Sequence, residues 1–204
     1  MPEGFLVLIS GPSGSGKSTI CRKLRQRDKS LKYSVSYTTR RRRPSERDGT
    51  DYFFVTKKQF LEMEEKGAFL ETAVVHGCHY GTPRAAIDKE IKAGNVVLMD
   101  IDVIGAETIR RKRGEKGVSI FLLPPTWNTL EERLRNRKDT HASMKTRLVN
   151  ARKEFKHTKH YTYWVVNDSL QTAVRQLESI LEAERLKPTR HPLQGTKLGR
   201  WIRS

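Results

Sequence analysis

The chain has 204 residues, and 40 lysines and arginines against 23 acids leave it a formal net charge of +17. That length buries a sizeable core in one domain more readily than in two, and apolar runs recur at regular intervals despite a hydrophobic content of 36%, so a wholly disordered chain is excluded. The charge predicts anionic partners, with nucleotides, nucleic acid and acidic membrane surfaces all eligible, and does not choose among them, because a basic exterior also serves solubility.

Phe5 to Ile9 is almost wholly apolar, as expected of a strand covered on both faces in a parallel sheet. Gly11-Pro12-Ser13-Gly14-Ser15-Gly16-Lys17-Ser18 follows directly and matches G-x-x-x-x-G-K-[ST]. Such a stretch is a phosphate cradle: glycines let successive N–H groups turn inward at an anion, Lys17 places a compact charge near the outer phosphates, and Ser18 is left for a magnesium ion. A helix is expected from Lys17 to about Arg27, adding its N-terminal dipole to the site, with Ile20, Cys21 and Leu24 on its inner face.

Tyr33 to Arg43 is dense in hydroxyls and then in arginines, a composition that suits phosphate or RNA and equally a solvated basic loop. Asp48-Gly49 is a turn, and Asp51 to Val55 a β-rich run that brings the loop back across a sheet. Thr56 and Gln59 form a capping box for a helix that runs through Lys66 and stops at Gly67, with Phe60 and Met63 inward. Phe69 to Thr82 is extended and broken by a turn; Thr82 is then expected to cap a helix starting at Pro83 and ending at Gly94. His76 and His79 have metal-like spacing, but a zinc site needs three or four ligands and only Cys78 is near.

Val96 to Asp102 is a second buried strand ending in two acids, which would face the phosphate loop; capping of a helix over Val103 to Arg113 is the other reading of Asp102. Val118 to Leu123 is a third strand. Thr126 caps a helix carrying Arg133 and Arg137, a polar stretch follows from Lys138 to about Ser143, and a further helix runs to about His157 with Arg147 and Arg152 off its apolar face. Two arginine-bearing helices joined by a polar tip suggest a lid. Tyr163 to Val166 is the last strand, and Asp168 with Gln171 is expected to cap a helix whose stripe is Leu170, Val174, Leu177 and Leu181. Beyond Pro188 the chain turns into a basic tail, expected to be loosely held. Two cysteines, Cys21 and Cys78, give no disulfide framework and fit a reducing cytosol; no apolar run approaches ~18 residues, so neither export nor membrane spanning is expected.

Taken together, these residues resemble the guanylate kinase family over nearly all of the chain up to about Lys187. The resemblance rests on Ser10 to Thr19, Ser34-Val35-Ser36 with Thr38-Thr39-Arg40, Asp48-Gly49 with Asp51-Tyr52, Glu71, His76-Gly77, Tyr80-Gly81-Thr82, Asp100-Ile101-Asp102 with Gly105, Leu122-Leu123-Pro124-Pro125 and Val166-Asn167-Asp168. It implies an α/β fold: a P-loop three-layer sandwich with a parallel core sheet (1–33, 95–137 and 148–187), a small mixed α/β GMP-binding subdomain (about 34–94), a helical lid (about 138–147) and a basic C-terminal tail (188–204).

The implied activity is transfer of the γ-phosphate of ATP to GMP or dGMP with Mg2+, within purine nucleotide metabolism. The implied ATP contacts are Gly11, Pro12, Ser13, Gly14, Ser15, Gly16, Lys17, Ser18 and Thr19, and the metal residues are Ser18 and Asp100, in part through water. Arg40, Arg43, Tyr52 and Tyr80 fall where the family binds the acceptor phosphate, and Ser36, Glu71, Thr82 and Asp102 where it binds the base. Lys17, Arg40, Asp100, Arg137 and Arg147 are the implied catalytic set. The chain departs from the family pattern at Arg42, where proline is common, and at Cys78-His79, where Asn-Tyr is usual.

A non-catalytic interaction module of the same fold is disfavoured by the intact loop, and another nucleoside monophosphate kinase by Glu71 and Ser36. Nucleic-acid binding through Arg40 to Arg43 and the tail stays open as an added activity, without a recognised motif. Monomer and homo-oligomer are equally open.

Overall fold

The computed structural model describes residues 3–44, 46–75, 77–114, 117–136 and 143–190. Its centre is a five-stranded, all-parallel sheet in the order β2 (Lys32–Tyr33), β7 (Val96–Asp100), β1 (Phe5–Ser10), β8 (Gly117–Leu123), β9 (Tyr163–Val166). Alternation along β1 sorts the core into two layers. Phe5, Val7 and Ile9 pack with Ile20, Cys21 and Leu24 of α1 (Lys17–Arg27) and with Ala173, Val174, Leu177 and Leu181 of α7 (Leu170–Arg185). Leu6 and Leu8 face the other way, towards Ile87 of α3 (Arg84–Lys92) and Ala106 and Ile109 of α4 (Val103–Arg113). Burial of each Phe, Val, Leu or Ile side chain of β1 contributes roughly 1.5–3 kcal/mol, so the continuous apolar run of β1 is what a strand with helices on both faces requires.

A second sheet, in the order β4 (Phe53–Phe54), β3 (Tyr37–Thr38), β6 (Cys78–Pro83), β5 (Phe69–Val75), is mixed: β4 runs parallel to β3, and β6 antiparallel to both β3 and β5. The β-rich run at Asp51 to Val55 thus contributes two residues, Phe53 and Phe54, to this sheet, while Tyr52 forms an isolated bridge with Asp48. The helix α2 (Lys57–Glu65) has the expected capping box at Thr56 and Gln59, and its fully buried Phe60 stacks on Phe69 with ring centroids 4.7 Å apart. The helices α5 (Trp127–Arg135) and α6 (Met144–Phe155), capped by Thr126 and Ser143, pack through Leu130, Leu134 and Ala151. Residues 137–142 between them, Arg137 included, lie outside the described residues, as do His76 and 191–204.

Three local expectations are corrected. Thr82 does not cap α3: it is still in β6, paired opposite Glu71, and its hydroxyl goes to that carboxylate while extended Pro83 precedes the helix. The cap of α7 is Ser169, accepting the Thr172 N–H, not the Asp168/Gln171 box, and with the helix starting one residue later Leu170 is 37% exposed while Ala173 is buried. The strand expected to reach Asp102 ends at Asp100, and Asp102 caps α4 through the N–H groups of Ile104 and Gly105. The chain beyond Pro188 is held as far as Arg190. Its carbonyl accepts the Glu3 N–H at 2.8 Å, and its guanidinium pairs with fully buried Glu184 at 3.0 Å and lies 4.0 Å over the Phe5 ring. Among the described residues no helix is long and apolar enough to cross a membrane.

Candidate active site

The phosphate loop leaves the carboxyl end of β1 and enters α1. Gly11 and Gly16 sit at φ +142° and +99°, and a Cβ there would come within 2.4 Å of the Leu122 carbonyl and 2.3 Å of Asn167 Nδ2, respectively. Only glycine permits that backbone and that closeness. Asn167 is a brace: its amide donates to the Ser15 carbonyl at 2.8 Å, and its own carbonyl accepts from Arg133 of α5 at 3.1 Å. On α6, Glu154 accepts the backbone N–H of Ser13; burial raises its pKa, and the charge of Lys17 opposes the rise.

Lys17 folds over the loop, donating to the carbonyls of Gly11 at 2.7 Å and Pro12 at 3.2 Å. Ser18 donates to Asp100 Oδ2 at 2.7 Å, so the two residues expected to share a metal meet across the gap between α1 and β7. Their hard oxygens suit magnesium, which takes few protein ligands and completes its shell with water and phosphate. Tyr33, at the end of β2, donates its phenol to the other oxygen of Asp100. Burial, followed by the Asp100 charge, holds that phenol far above its ordinary pKa.

Facing the loop, the second sheet supplies a cationic pocket. Arg40 is 9% exposed, its backbone N–H goes to Thr38 Oγ1 at 3.1 Å, and its guanidinium donates to Glu46 at 2.7 Å and to the Arg41 carbonyl at 2.8 Å. Burial alone would lower its pKa, but the Glu46 hydrogen bond and Tyr80 outweigh burial and raise it, so Arg40 stays charged. Glu46 also takes the Arg43 N–H at 2.9 Å and lies 3.6 Å from the Arg43 guanidinium. One carboxylate therefore braces both arginines. The Tyr52 and Tyr80 rings meet edge-on at 5.9 Å, and the Arg40 guanidinium lies 5.5 Å above Tyr52. Burial, then the charge of Asp100, raises the Tyr52 pKa, so the Asp100 carboxylate is felt among these side chains.

At the far end Glu71 is 5% exposed. Its Oε1 accepts from Thr82 at 2.6 Å, while Oε2 is buried without a hydrogen-bond partner. Burial pushes its pKa up to about 7, the nearby Asp102 adds to this, and Thr82 and Lys112 oppose it. A carboxylate so placed is short of donors, and a ligand offering N–H groups would supply them. Gly105 makes room for it: a Cβ there would lie 2.9 Å from Glu71 Oε2. Ser36 stands just ahead of β3, half-buried, its carbonyl taking the Phe53 N–H at 2.9 Å. The sequence singled out Arg147 as well; its guanidinium donates to the Leu134 carbonyl at 3.1 Å, at the end of α5.

Sequence reasoning missed Glu46, Tyr33 and Glu154. The signal for Glu46 was present, since it is the lone acid between the arginine tetrad and Arg47. Nothing local marks Tyr33 or Glu154, whose partners lie 67 and about 140 positions away in the chain.

A doubly wound parallel sheet with a phosphate loop after its first strand is a P-loop nucleotide-binding fold. The family model described as guanylate kinase matches residues 4–184, and the chain belongs to that family. It is similar to the guanylate kinase of Agrobacterium fabrum, 46% identical over 189 residues that cover 92% of this chain and 86% of that protein. The guanylate kinase of Carboxydothermus hydrogenoformans is 44% identical over 191 residues, covering 93% of each. The crystal structure of guanylate kinase from Anaplasma phagocytophilum superposes with a TM-score of 0.80 at 31% identity, over 98% of this chain and 97% of that one.

Proposed function

We propose that the chain transfers the γ-phosphate of ATP to GMP, and to dGMP, giving the diphosphate and ADP. The observation that carries this reading is Glu71, a carboxylate with one oxygen held by Thr82 and the other buried and unpartnered. Guanine offers an N1–H and an exocyclic amine to such a group; adenine turns an acceptor nitrogen towards it, which leaves the buried oxygen unpaired at a cost of about 1–3 kcal/mol. Asp102, with Oδ1 engaged by α4, and Ser36 are proposed to complete the base site.

Arg40, Arg43, Tyr52 and Tyr80 would hold the GMP phosphate, guanidinium forks and phenols being suited to a dianion. Gly11 to Thr19 would cradle the ATP phosphates, with Lys17 leaving its loop carbonyls to reach the outer ones. Magnesium, held at Ser18 and near Asp100, supplies charge neutralisation on those phosphates when bound. Phosphoryl transfer asks chiefly for in-line placement and cancellation of charge, so Arg40 at the junction and Arg147 from α6 would stabilise the transferred group. Arg137 belongs to the same proposal, although it lies outside the described residues.

A coupled assay of ADP release with magnesium, ATP and each nucleoside monophosphate in turn tests the proposal. GMP and dGMP are expected to be phosphorylated, with AMP, CMP and UMP much poorer; equal rates with AMP and GMP would overturn it. Gly105→Ala should push Glu71 from its seat and raise the KM for GMP about tenfold while leaving the KM for ATP within twofold, because the added methyl falls 2.9 Å from Oε2. An unchanged KM for GMP would show that Glu71 does not need that space.

A further inference from the structure

The metal-side carboxylate is held by two hydroxyls, not one. Ser18 occupies Asp100 Oδ2 at 2.7 Å, and Tyr33 occupies Oδ1. The two donors differ in what fixes them. Ser18 belongs to the first turn of α1 and is exposed, so its hydroxyl is free to turn its lone pairs towards a ligand. Tyr33 is locked: β2 pairs in parallel register with β7, Tyr33 opposite Leu98, the next N–H, of Ser34, bonds the Leu98 carbonyl at 2.9 Å, and Arg25 of α1 covers the phenol ring at 4.5 Å.

We infer that Tyr33 is a positioning residue for the transfer reaction, fixing the Asp100 carboxylate so that Oδ2 alone is presented, beside Ser18, to a magnesium ion and its water. This rests on the proposed reading of Ser18 and Asp100 as the magnesium-holding pair. A carboxylate without the phenol would rotate about its χ2 and divide its time among orientations. Partners that orient a metal-binding carboxylate typically contribute 10- to 100-fold to metal affinity, and Tyr33→Phe removes that oxygen while keeping the ring beneath Arg25.

The test is equilibrium binding of a fluorescent ATP analogue to the full chain, with magnesium and with EDTA, for wild type, Tyr33→Phe and Asp100→Asn, alongside the melting temperature of each. Magnesium is expected to tighten the analogue in the wild type, and Tyr33→Phe to reduce that gain about tenfold while its affinity in EDTA and its melting temperature stay unchanged. In turnover, the magnesium concentration for half-maximal rate should rise in Tyr33→Phe with the KM for GMP unmoved. Loss of the gain in Asp100→Asn but not in Tyr33→Phe would overturn the role of Tyr33 and leave the metal reading standing. Full retention of the gain in Asp100→Asn would overturn both. Equal weakening of Tyr33→Phe in magnesium and in EDTA, with a lower melting temperature, would reduce Tyr33 to a structural residue.

Discussion

Lys17→Ala should lower kcat by roughly 10²–10³-fold, the scale on which removal of one preorganised charge from a transferring group is felt. The fold should survive, because the loop is pinned independently of the Lys17 ammonium, by the Asn167 amide on the Ser15 carbonyl at 2.8 Å. The melting temperature should therefore change little. Arginine should not restore the rate, since a planar fork does not replace a compact charge inside a cradle shaped by glycine backbone. Steady-state kinetics of the purified variant decides it, and undiminished kcat would remove the phosphate loop from the mechanism.

The second large effect concerns Glu71. Glu71→Gln should lower kcat/KM for GMP about 100-fold and shrink the preference over AMP, because the amide meets donors on guanine with a donor of its own. The wild type also carries a pH signature. With the carboxyl raised to about 7 in the folded protein, only about a tenth of it is ionised at pH 6, so the KM for GMP should be about tenfold higher at pH 6 than at pH 8. Glu71→Gln should lack that difference. Stability moves the other way: the folded chain keeps a proton that the unfolded chain, at the ordinary value of 4.5, has released. Stability is then greatest below the unfolded pKa and falls as pH rises through 7, by up to about 3 kcal/mol, and Glu71→Gln should flatten this slope. Denaturant melts of both proteins from pH 4 to 8 would show it, and parallel curves would contradict the burial argument.

How much of this was legible before folding varies by residue. The strands and helices of the parallel sheet were, because full burial leaves unbroken apolar runs and strong caps leave short-range signatures, as at Phe5 to Ile9 and Thr56 with Gln59. Motif spacing marked the phosphate loop, and the resemblance marked Arg40 and Glu71. Thr82 shows where local logic fails. Ahead of a proline it reads as a cap, but the ladder with β5 decides its backbone and hands its hydroxyl to Glu71. Asp102 went the other way, with the local role of cap realised. Tyr33 was illegible for a different reason: it acts by holding a carboxylate placed by another segment, 67 positions away, and no spacing rule encodes a partner chosen by tertiary contact, whereas the partners of Glu46 lie within six residues of it.

Arg190 gives the first strand a root. Its cation sits on the Phe5 ring and its carbonyl on Glu3, at the end of β1 remote from the phosphate loop, while the opposite end of the same strand carries that loop. A cradle that must meet a phosphate to within fractions of an ångström thus hangs from a beam clamped at its base. The last described residue of the chain takes part in aiming the first motif.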